Sequence, residues 1–290
     1  MSPRSEIRLF LILPVYGNWG DTVECLRVLQ SQTTRDFRVL IADDESPTAP
    51  PEEIYTFDIA EYVRNPHSGF GGNCNLAAKL AIDRGATHLL FLNSDTAFSC
   101  EFMTHWLATV ERFPRAILSP MIYLFSDPSE VAFSGGPFDI WTPFFIMKKR
   151  YQETTEVDIV SGCAILIPVE GWTAVEGFDP IYGTYFEDFD ICLRAKAQGI
   201  ATYVVPDKEL SVRHKVGGSF EGANTWKRHY LLLKFGLIFV RIHYRGVRKW
   251  LCFGLAACRL AVVIVANLPQ LPNRVMLWKS ISQGVRTQIP

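Results

Sequence analysis

The stretch LLFLNSDT, Leu89–Thr96, decides the fold, because it is a short apolar run that stops at Asn93, Ser94 and Asp95. A run of this length that ends in polar residues is typical of a buried strand. A single carboxylate after a strand also serves as a turn or helix cap. Asp95 alone therefore does not distinguish an ordinary turn from a working site.

Runs of the same kind alternate with helical patterns up to residue 207. Strands are predicted at 7–16, 38–44, 59–65, 87–95 and 201–207, and helices at 21–32, 75–85, 101–113 and 187–199. Residues 114–151 predict loops or irregular β structure, and 157–179 a strand, a turn and a short helix. This alternation predicts an α/β fold, with a mostly parallel central sheet flanked by helices on both faces.

Three of the predicted strands end in polar side chains. Asp43 and Asp44 follow the second strand, Asn65 the third, and Asn93–Asp95 the fourth. In open α/β sheets ligands bind outside the carboxyl ends of the strands. The sequence therefore predicts one polar crevice at that edge of the sheet.

Composition and motifs exclude several classes. With 48% hydrophobic and 20% charged residues, the 290-residue chain is neither disordered nor fibrous, and it forms one large domain or two small ones. Seven cysteines without CxxC spacing predict reduced thiols of a cytoplasmic protein. The apolar N-terminal run is short and lacks a cleavage site, which predicts no signal peptide. A Walker-type loop is absent, which argues against a P-loop nucleotidase.

Charge is distributed unevenly along the chain. No acidic residue follows Glu221, whereas the segment Lys227–Arg286 contains eleven Lys and Arg. The part before it carries 18 basic and 30 acidic residues, about −12 in net charge. A basic, apolar tail predicts contact with an anionic surface, either membrane or nucleic acid. Arg259 interrupts its most apolar run, which favours a pair of interfacial helices over a membrane span, with packing on the rest of the protein as the alternative.

Three further segments are candidates for chemistry. NPHSGFGGNCN, residues 65–75, places Gly69, Gly71 and Gly72 just before a predicted helix, where backbone approaches an anion, although such loops also form plain turns. YFEDFDICLR places Glu187 and Asp188 after an aromatic stretch. These acids form either a favourable first helical turn or a general base for a hydroxyl. HKVGGSF places His214 after a strand, where a structural role and metal ligation remain alternatives.

Five motifs in this order resemble a known family. They are LPVYGNW, QSQTTRDFRVLIADDES, LNSDT, GTYFEDFDICLRA and HKVGGS. From about Leu9 to Phe220 the chain resembles the family 2 inverting glycosyltransferases of GT-A fold, which is Rossmann-like, and most of all their bacterial rhamnosyltransferase-like branch. The resemblance implies a catalytic domain at 1–222 and a basic helical tail at 223–290. A sugar nucleotidyltransferase is the rival enzyme, but PVYGNWGDT lacks the basic residue of that class's phosphate loop; a non-catalytic nucleotide-binding protein is the rival of another class.

The resemblance also implies roles for individual residues. Asp188 is the expected catalytic base, and Asp95 with His214 is expected to hold Mg²⁺ or Mn²⁺. Asn93 stands where the family often has a first Asp, which leaves Asp95 as the carboxylate ligand of that motif. Residues expected to bind the nucleotide-sugar donor are Pro14, Val15, Tyr16, Asp44, Asn65, Gly71, Gly72, Asn93 and Ser94. Residues expected on the acceptor side are Glu187, Gly162 and Trp172.

The activity implied is a single in-line displacement at the anomeric carbon of the sugar, which inverts its configuration. The expected donor is dTDP-rhamnose, with UDP-sugars, including galactofuranose, as the alternative. The expected acceptor is a saccharide, free or linked to a lipid diphosphate, in cell-envelope polysaccharide synthesis. The expected location is cytoplasmic, peripheral on the cytoplasmic face of the inner membrane, on an anionic membrane surface and without a nucleic-acid partner.

Overall fold

The computed structural model describes residues 7–143, 147–215, 225–266 and 274–287. Its strands are β1 Leu9–Val15, β2 Phe37–Asp43, β3 Ala60–Arg64, β4 His88–Leu92, β5 Thr96–Ala97, β6 Ile117–Pro120, β7 Ile122–Leu124, β8 Val131–Phe133, β9 Thr155–Val157, β10 Ala164–Pro168, β11 Thr202–Val205 and β12 Val212–His214. Its helices are α1 Trp19–Gln30, α2 Gly69–Asp83, α3 Phe102–Arg112, α4 Val169–Ala174, α5 Glu187–Ala197, α6 Thr225–His243, α7 Gly246–Ala266 and α8 Arg274–Arg286. A 3-10 helix covers Glu52–Thr56.

Two sheets organise these elements. The large sheet has the strand order β3-β2-β1-β4-β10-β6-β11-β9, and the small one β5-β12-β7-β8. The four neighbouring strands β3, β2, β1 and β4 are parallel, so their carboxyl ends meet at one edge of the sheet. This arrangement confirms the predicted α/β architecture.

Strand β10 runs against the parallel direction of its neighbours. It pairs antiparallel with β4, Ala164 opposite Leu92 and Pro168 opposite His88, and antiparallel with β6. Two neighbouring parallel strands need a crossover connection, whereas the chain reaches β10 through the irregular segment that holds β7, β8 and β9. The start of β10 therefore lies beside the end of β4.

The helices cover both faces of the large sheet, as the alternation predicted. Along β1, Leu9, Leu11 and Leu13 pack on one face with α1 and α3, while Phe10 and Ile12 pack on the other with α2, α4 and α5. Phe91 of β4 is fully buried on this second face. Burial of both faces explains why these strands are almost continuously apolar.

The glycine-rich segment differs from the prediction of a loop before a helix. Helix α2 begins at Gly69, so Gly71 and Gly72 belong to its first turns. A Cβ at Gly71 would lie 3.3 Å from the Cβ of Phe178, and Gly71 is buried. The small residue therefore serves close packing of α2 against the segment that follows α4.

The tail is helical, as predicted. Helix α6 shares a buried cluster with the segment before α5; its members are Tyr182, Phe186, Phe235, Ile238, Phe239, Val240, Tyr244 and Cys252. Division of the chain into units at 222/223 stays a prediction. Among the helices that the structure describes, none combines the length and apolar composition needed to span a bilayer.

Candidate active site

The centre of the crevice is built where β4 ends and β10 begins. The backbone N–H of Asn93 donates to the carbonyl of Cys163 over 2.8 Å, which extends the β4–β10 ladder by one step. Asn93, Ser94 and Asp95 thus lie next to Gly162 and Cys163. Ser94 and Asp95 are both buried.

Asp188 lies on the other side of Gly162. Its Oδ2 accepts the backbone N–H of Gly162 at 2.7 Å, and its Oδ1 accepts the N–H of Phe189 at 2.9 Å in the first turn of α5. Burial raises the pKa of Asp188 to about 6, although these two N–H groups act to lower it. A carboxylate with a pKa near neutral is suited to accept a proton at physiological pH.

Asp95 and His214 are brought together by the small sheet. Strands β5 and β12 pair antiparallel with Thr96 opposite His214, and the N–H of Lys215 donates to the Asp95 carbonyl over 3.0 Å. His214 Nε2 lies 3.1 Å from Asp95 Oδ1. Burial alone would lower the pKa of His214, but neighbouring Cys163 and Asp95 raise it to about 11. The structure thus places in contact the two residues that the sequence predicted as metal ligands.

Gly162 and Cys163 join these two groups into one site. The N–H of Gly162 holds Asp188, whereas the Cys163 side chain contacts His214 and its carbonyl holds Asn93. Two consecutive residues therefore touch both the candidate base and the Asp95–His214 pair.

Glu187, which precedes Asp188, is also buried. Its side chain is 6% exposed, and its Oε2 has no hydrogen-bond partner among the described residues. Burial, and then the charge of Asp188, raise the pKa of Glu187 well above its ordinary range. A protonated Glu187 keeps a polar group available to a bound hydroxyl without adding a second negative charge beside Asp188.

The backbone in front of these acids is strained. Tyr185 and Phe186 have φ angles of 70° and 73°, in the left-handed region that non-glycine residues rarely adopt. Each such residue costs about 1–3 kcal/mol and persists only where its surroundings hold it. This double turn sets the direction in which Glu187 and Asp188 enter α5.

Asp44 closes the other end of the crevice by binding the start of α2. Its carboxylate accepts the N–H groups of Ser68 at 2.7 Å and Gly69 at 3.1 Å. His67 Nδ1 lies 2.9 Å from the same carboxylate. The anion at the N-terminus of α2 is therefore a side chain of the protein itself, which the glycine-rich motif did not reveal.

Aromatic rings line the rim next to Asp44. Tyr16, which follows Pro14 and Val15 of β1, is 57% exposed, and its ring centroid lies 5.1 Å from that of His67 with the planes 31° apart. An exposed, tilted ring pair beside a carboxylate offers ring faces on which a planar base can stack. The predicted donor residues Pro14, Val15, Tyr16 and Asp44 thus meet at one strand edge.

Asn65 and the α2 glycines do not face this rim. The Asn65 side chain donates to Asn73 Oδ1 at 2.8 Å, and Asn73 donates to the Ala42 carbonyl at 2.7 Å. A Cβ at Gly72 would collide with the side chain of Ser68, the residue that precedes α2, 2.7 Å away. The asparagine contacts hold α2 against β2, so Asn65 and Asn73 serve the packing of the elements that carry the crevice.

Comparison with known proteins identifies the family. The model of the glycosyl transferase family 2 matches residues 10–168, more than half of the chain, and that of a glycosyltransferase-like family 2 matches residues 142–229. The chain belongs to glycosyl transferase family 2. It is therefore a glycosyltransferase, as the motifs predicted.

Individual relatives are distant. Rhamnosyltransferase WbbL of Escherichia coli is 22% identical over 213 residues, 68% of this chain and 80% of that protein. Staphylococcus aureus TarS has a TM-score of 0.57 at 17% identity over 84% of this chain, which spans only 41% of TarS. The mannosyltransferase PcManGT of Pyrobaculum calidifontis, solved with GDP-Man and Mn²⁺, has a TM-score of 0.60 at 13% identity and covers 98% of this chain and 82% of its own. These structures confirm the GT-A fold.

Trp172 was predicted on the acceptor side of the site, but the structure does not place it in the crevice. Because β10 runs antiparallel, its end and the following α4 lie at the His88 edge of the sheet, opposite the acids. The Trp172 ring is 6% exposed and stacks on Phe91 at 4.9 Å. Gly162, at the other end of β10, does lie in the site.

Two site residues were missed from the sequence. Cys163 and His67 carry no charge pattern that marks them, and their contacts depend on β10 pairing and on the α2 start. His67 lies in the segment NPHSGFGGNCN, and an aromatic ring this close to the glycines could have indicated a residue of the site. The Gly-x-Ser part of HKVGGS lies outside the described residues.

The donor chemistry of Asp95 and His214 fits a divalent cation. A carboxylate oxygen and an imidazole nitrogen 3.1 Å apart form a set that Mn²⁺ accepts in place of the proton on His214, whereas Mg²⁺ prefers oxygen. No group of three or more Cys, His, Asp or Glu suited to a metal occurs in the described part of the chain. The two side chains are thus a partial ligand set.

Replacement of Glu187 by Gln is expected to stabilise the protein at high pH. The raised pKa means that the folded state binds a proton more tightly than the unfolded state, so the contribution is favourable at low pH and is lost as pH rises. The unfolding temperature of Glu187→Gln should therefore exceed that of the wild type at pH 8, and the gain should vanish near pH 4.

Glu61→Gln is the control with the opposite sign. The hydrogen bond from Arg84 lowers the pKa of Glu61, so its charge stabilises the fold above the ordinary pKa. Thermal unfolding of Glu61→Gln at pH 8 should be unchanged or earlier. A Glu187→Gln variant that is less stable than the wild type at pH 8 contradicts the raised pKa of Glu187.

Proposed function

We propose that this glycosyltransferase transfers a sugar, with inversion, from a nucleoside diphosphate to a hydroxyl of a saccharide or a lipid-linked saccharide. The observation that carries the proposal is the junction at Gly162 and Cys163, which touches Asp188 on one side and Asp95–His214 on the other. A base and a site for a leaving diphosphate next to each other are what a single displacement requires.

Asp188 is the base in this proposal. Its carboxylate, held by the N–H of Gly162, takes the proton of the acceptor hydroxyl as that oxygen attacks the anomeric carbon and the bond to the diphosphate breaks. Glu187 remains protonated and orients the hydroxyl. One displacement by the acceptor leaves the new glycosidic bond inverted.

Asp95 and His214 would hold Mg²⁺ or Mn²⁺, with the remaining ligands from the diphosphate. The bound cation supplies electrostatic stabilisation of the departing diphosphate. Asn93 and Ser94 line the same strand end, and Tyr16 with His67 stacks the base beside Asp44. PcManGT, solved with GDP-Man and Mn²⁺, supports a nucleotide sugar with a divalent cation.

The first candidate for the sugar is L-rhamnose from dTDP-rhamnose. The similarity to rhamnosyltransferase WbbL over 80% of that protein favours it. The second candidate is a UDP-sugar, including galactofuranose, because TarS of the same fold has been solved with UDP. A role in cell-envelope polysaccharide synthesis fits either donor.

The tail attaches the enzyme to the cytoplasmic face of an anionic membrane in this proposal. Along α7, Val247, Trp250 and Leu251 are 75%, 75% and 51% exposed and occupy one face at helical spacing. Gly254, Leu255 and Cys258 continue this α7 stripe and line a shallow apolar groove with it. Arg245 and Arg248 are exposed at the start of the same helix, where they complement lipid phosphates.

Replacement of Asp188 by Asn is expected to lower sugar transfer by at least about 100-fold, because positioned bases contribute 10²–10⁴-fold. Nucleotide affinity should change little, since Asp188 contacts no predicted donor residue. The wild-type kcat/KM should fall about tenfold per pH unit below pH 6, as Asp188 becomes protonated. Transfer is measured by the release of nucleoside diphosphate from a panel of nucleotide sugars with saccharide acceptors.

Asp207→Asn is the matched control, because Asp207 also accepts from a backbone N–H but lies in the His105 ion pair. It should transfer at the wild-type rate. Release of pyrophosphate instead of nucleoside diphosphate, retention of configuration, or full turnover by Asp188→Asn contradicts the proposal.

Removal of divalent cations with a chelator is expected to stop transfer, and Mn²⁺ should restore it. Asp95→Asn and His214→Gln should each weaken Mn²⁺-dependent nucleotide binding by about 10-fold or more, because each removes one of two side-chain ligands. Calorimetric titration of nucleotide with and without Mn²⁺ measures this. Full activity in chelator contradicts the assignment of Asp95 and His214.

Replacement of both Trp250 and Leu251 by Ser is expected to reduce binding to vesicles that contain anionic phosphatidylglycerol by about tenfold or more, because burial of each large side chain contributes about 1.5–3 kcal/mol. Tyr55→Ser, at a 63% exposed aromatic residue of the catalytic part, is the control. Vesicle flotation measures the bound fraction. Unchanged binding by the double variant shows that the α7 stripe does not dock on the bilayer.

A further inference from the structure

Helix α6 packs against the strained turn that precedes the candidate base Asp188. The turn consists of Tyr182–Phe186, and its last two residues have left-handed φ angles. Non-glycine residues hold such angles only where neighbouring contacts over-determine them. Some of those contacts come from α6, which lies later in the sequence than Asp95 and His214.

Aromatic side chains of α6 fix the turn by packing. The Phe239 ring lies 5.3 Å from the Phe186 ring, and the Phe235 ring 6.3 Å from that of Tyr182. A Cβ at Gly236 would lie 3.3 Å from the Phe186 ring, so the helix backbone itself is close to the turn. Arg228 adds a hydrogen bond to the Tyr185 side chain.

A polar contact locks the other end of α6 to α5. His243 Nε2 lies 2.8 Å from Oδ1 of Asp190, which is 1% exposed. Oδ2 of Asp190 accepts from Arg194 Nε at 2.7 Å, and Arg194 also donates to the carbonyls of Val175 and Gly177. Asp190 lies two residues after Asp188, and its own N–H donates to the Phe186 carbonyl over 2.9 Å.

These contacts connect the tail directly to the orientation of α5. His243 and Arg194 hold the two oxygens of one buried carboxylate, so the first turn of α5 is fixed from both sides. A rotation of that turn moves Asp188 away from the N–H of Gly162, whose 2.7 Å bond marks its present position. Small displacements of a catalytic group lower the rate without loss of folding.

We propose that α6 is a positioning element of the transferase, and that His243 is a positioning residue which holds the base Asp188 through Asp190. The proposal rests on the proposed function, because it takes Asp188 as the base. His243 acts in this proposal through its contact with Asp190 and not on the acceptor hydroxyl or the donor. The tail helix α6 thus belongs to the machinery of transfer as well as to the tail.

The test compares two substitutions at one position in the full chain. His243→Phe keeps a ring against Phe239, 4.7 Å away, but removes the nitrogen that faces Asp190. His243→Gln keeps an N–H donor. We expect kcat to fall about 10- to 100-fold in His243→Phe, with UDP and dTDP affinity and the donor KM unchanged, and to recover to within about threefold of wild type in His243→Gln.

His105 supplies the matched control. Its Nδ1 lies 2.8 Å from Asp207 Oδ2, the same separation as in the His243–Asp190 pair, but on α3. His105→Phe should retain wild-type kcat. Equal loss of kcat in His105→Phe and His243→Phe, or no recovery in a folded His243→Gln, overturns the positioning role.

Amide hydrogen exchange gives a readout that does not depend on transfer. His243→Phe should speed exchange of the Phe186, Phe189 and Asp190 amides at least about tenfold relative to the wild type, while those of β4 stay unchanged. If the wild type transfers no sugar but this exchange pattern appears, α6 positions the turn and the proposed function fails. If transfer occurs and both kcat and exchange are unaffected in His243→Phe, the positioning role is wrong.

Discussion

The antiparallel pairing of β10 with β4 is the constraint on which the site depends. It places the start of β10 beside the end of β4, so that the Cys163 carbonyl accepts the backbone N–H of Asn93, with Gly162 next to it. A parallel β10 would deliver α4 and Trp172 to this edge and carry Gly162 to the opposite one. Asp188, the proposed base, and the Asp95–His214 pair lie next to each other because one strand in the sheet is reversed.

The crevice concentrates features that weaken the fold. Glu187 and Asp188 have raised pKa values, two residues before them have left-handed backbone angles, and Glu187 leaves an oxygen without a partner in the described structure. Each of these costs free energy in the folded state. Their concentration in one short segment is typical of a functional site, because neither packing nor helix formation requires it.

The sequence predicted the strands, the helices and most of the edge at which the acids meet, because apolar periodicity and polar strand ends are local signals. It also predicted that His214 and Asp95 belong together, from the order of the family motifs. The direction of β10 is a non-local property, which explains why Trp172 was expected on the acceptor side and Cys163 was overlooked. The role of Asp44 at the start of α2 was equally hidden, because a carboxylate that caps a distant helix leaves no trace in spacing.

The buried cluster that α6 shares with Tyr182 and Phe186 has a consequence for how this chain can be divided. A fragment that stops at 222 would leave those rings facing water, while one that ends after Tyr244 keeps every buried member of the cluster except Cys252. Gly246, with a φ of 53°, marks the turn between α6 and α7. Because α6 covers these rings, any exchange of C-terminal segments between relatives has to keep α6 with the part of the chain that precedes it.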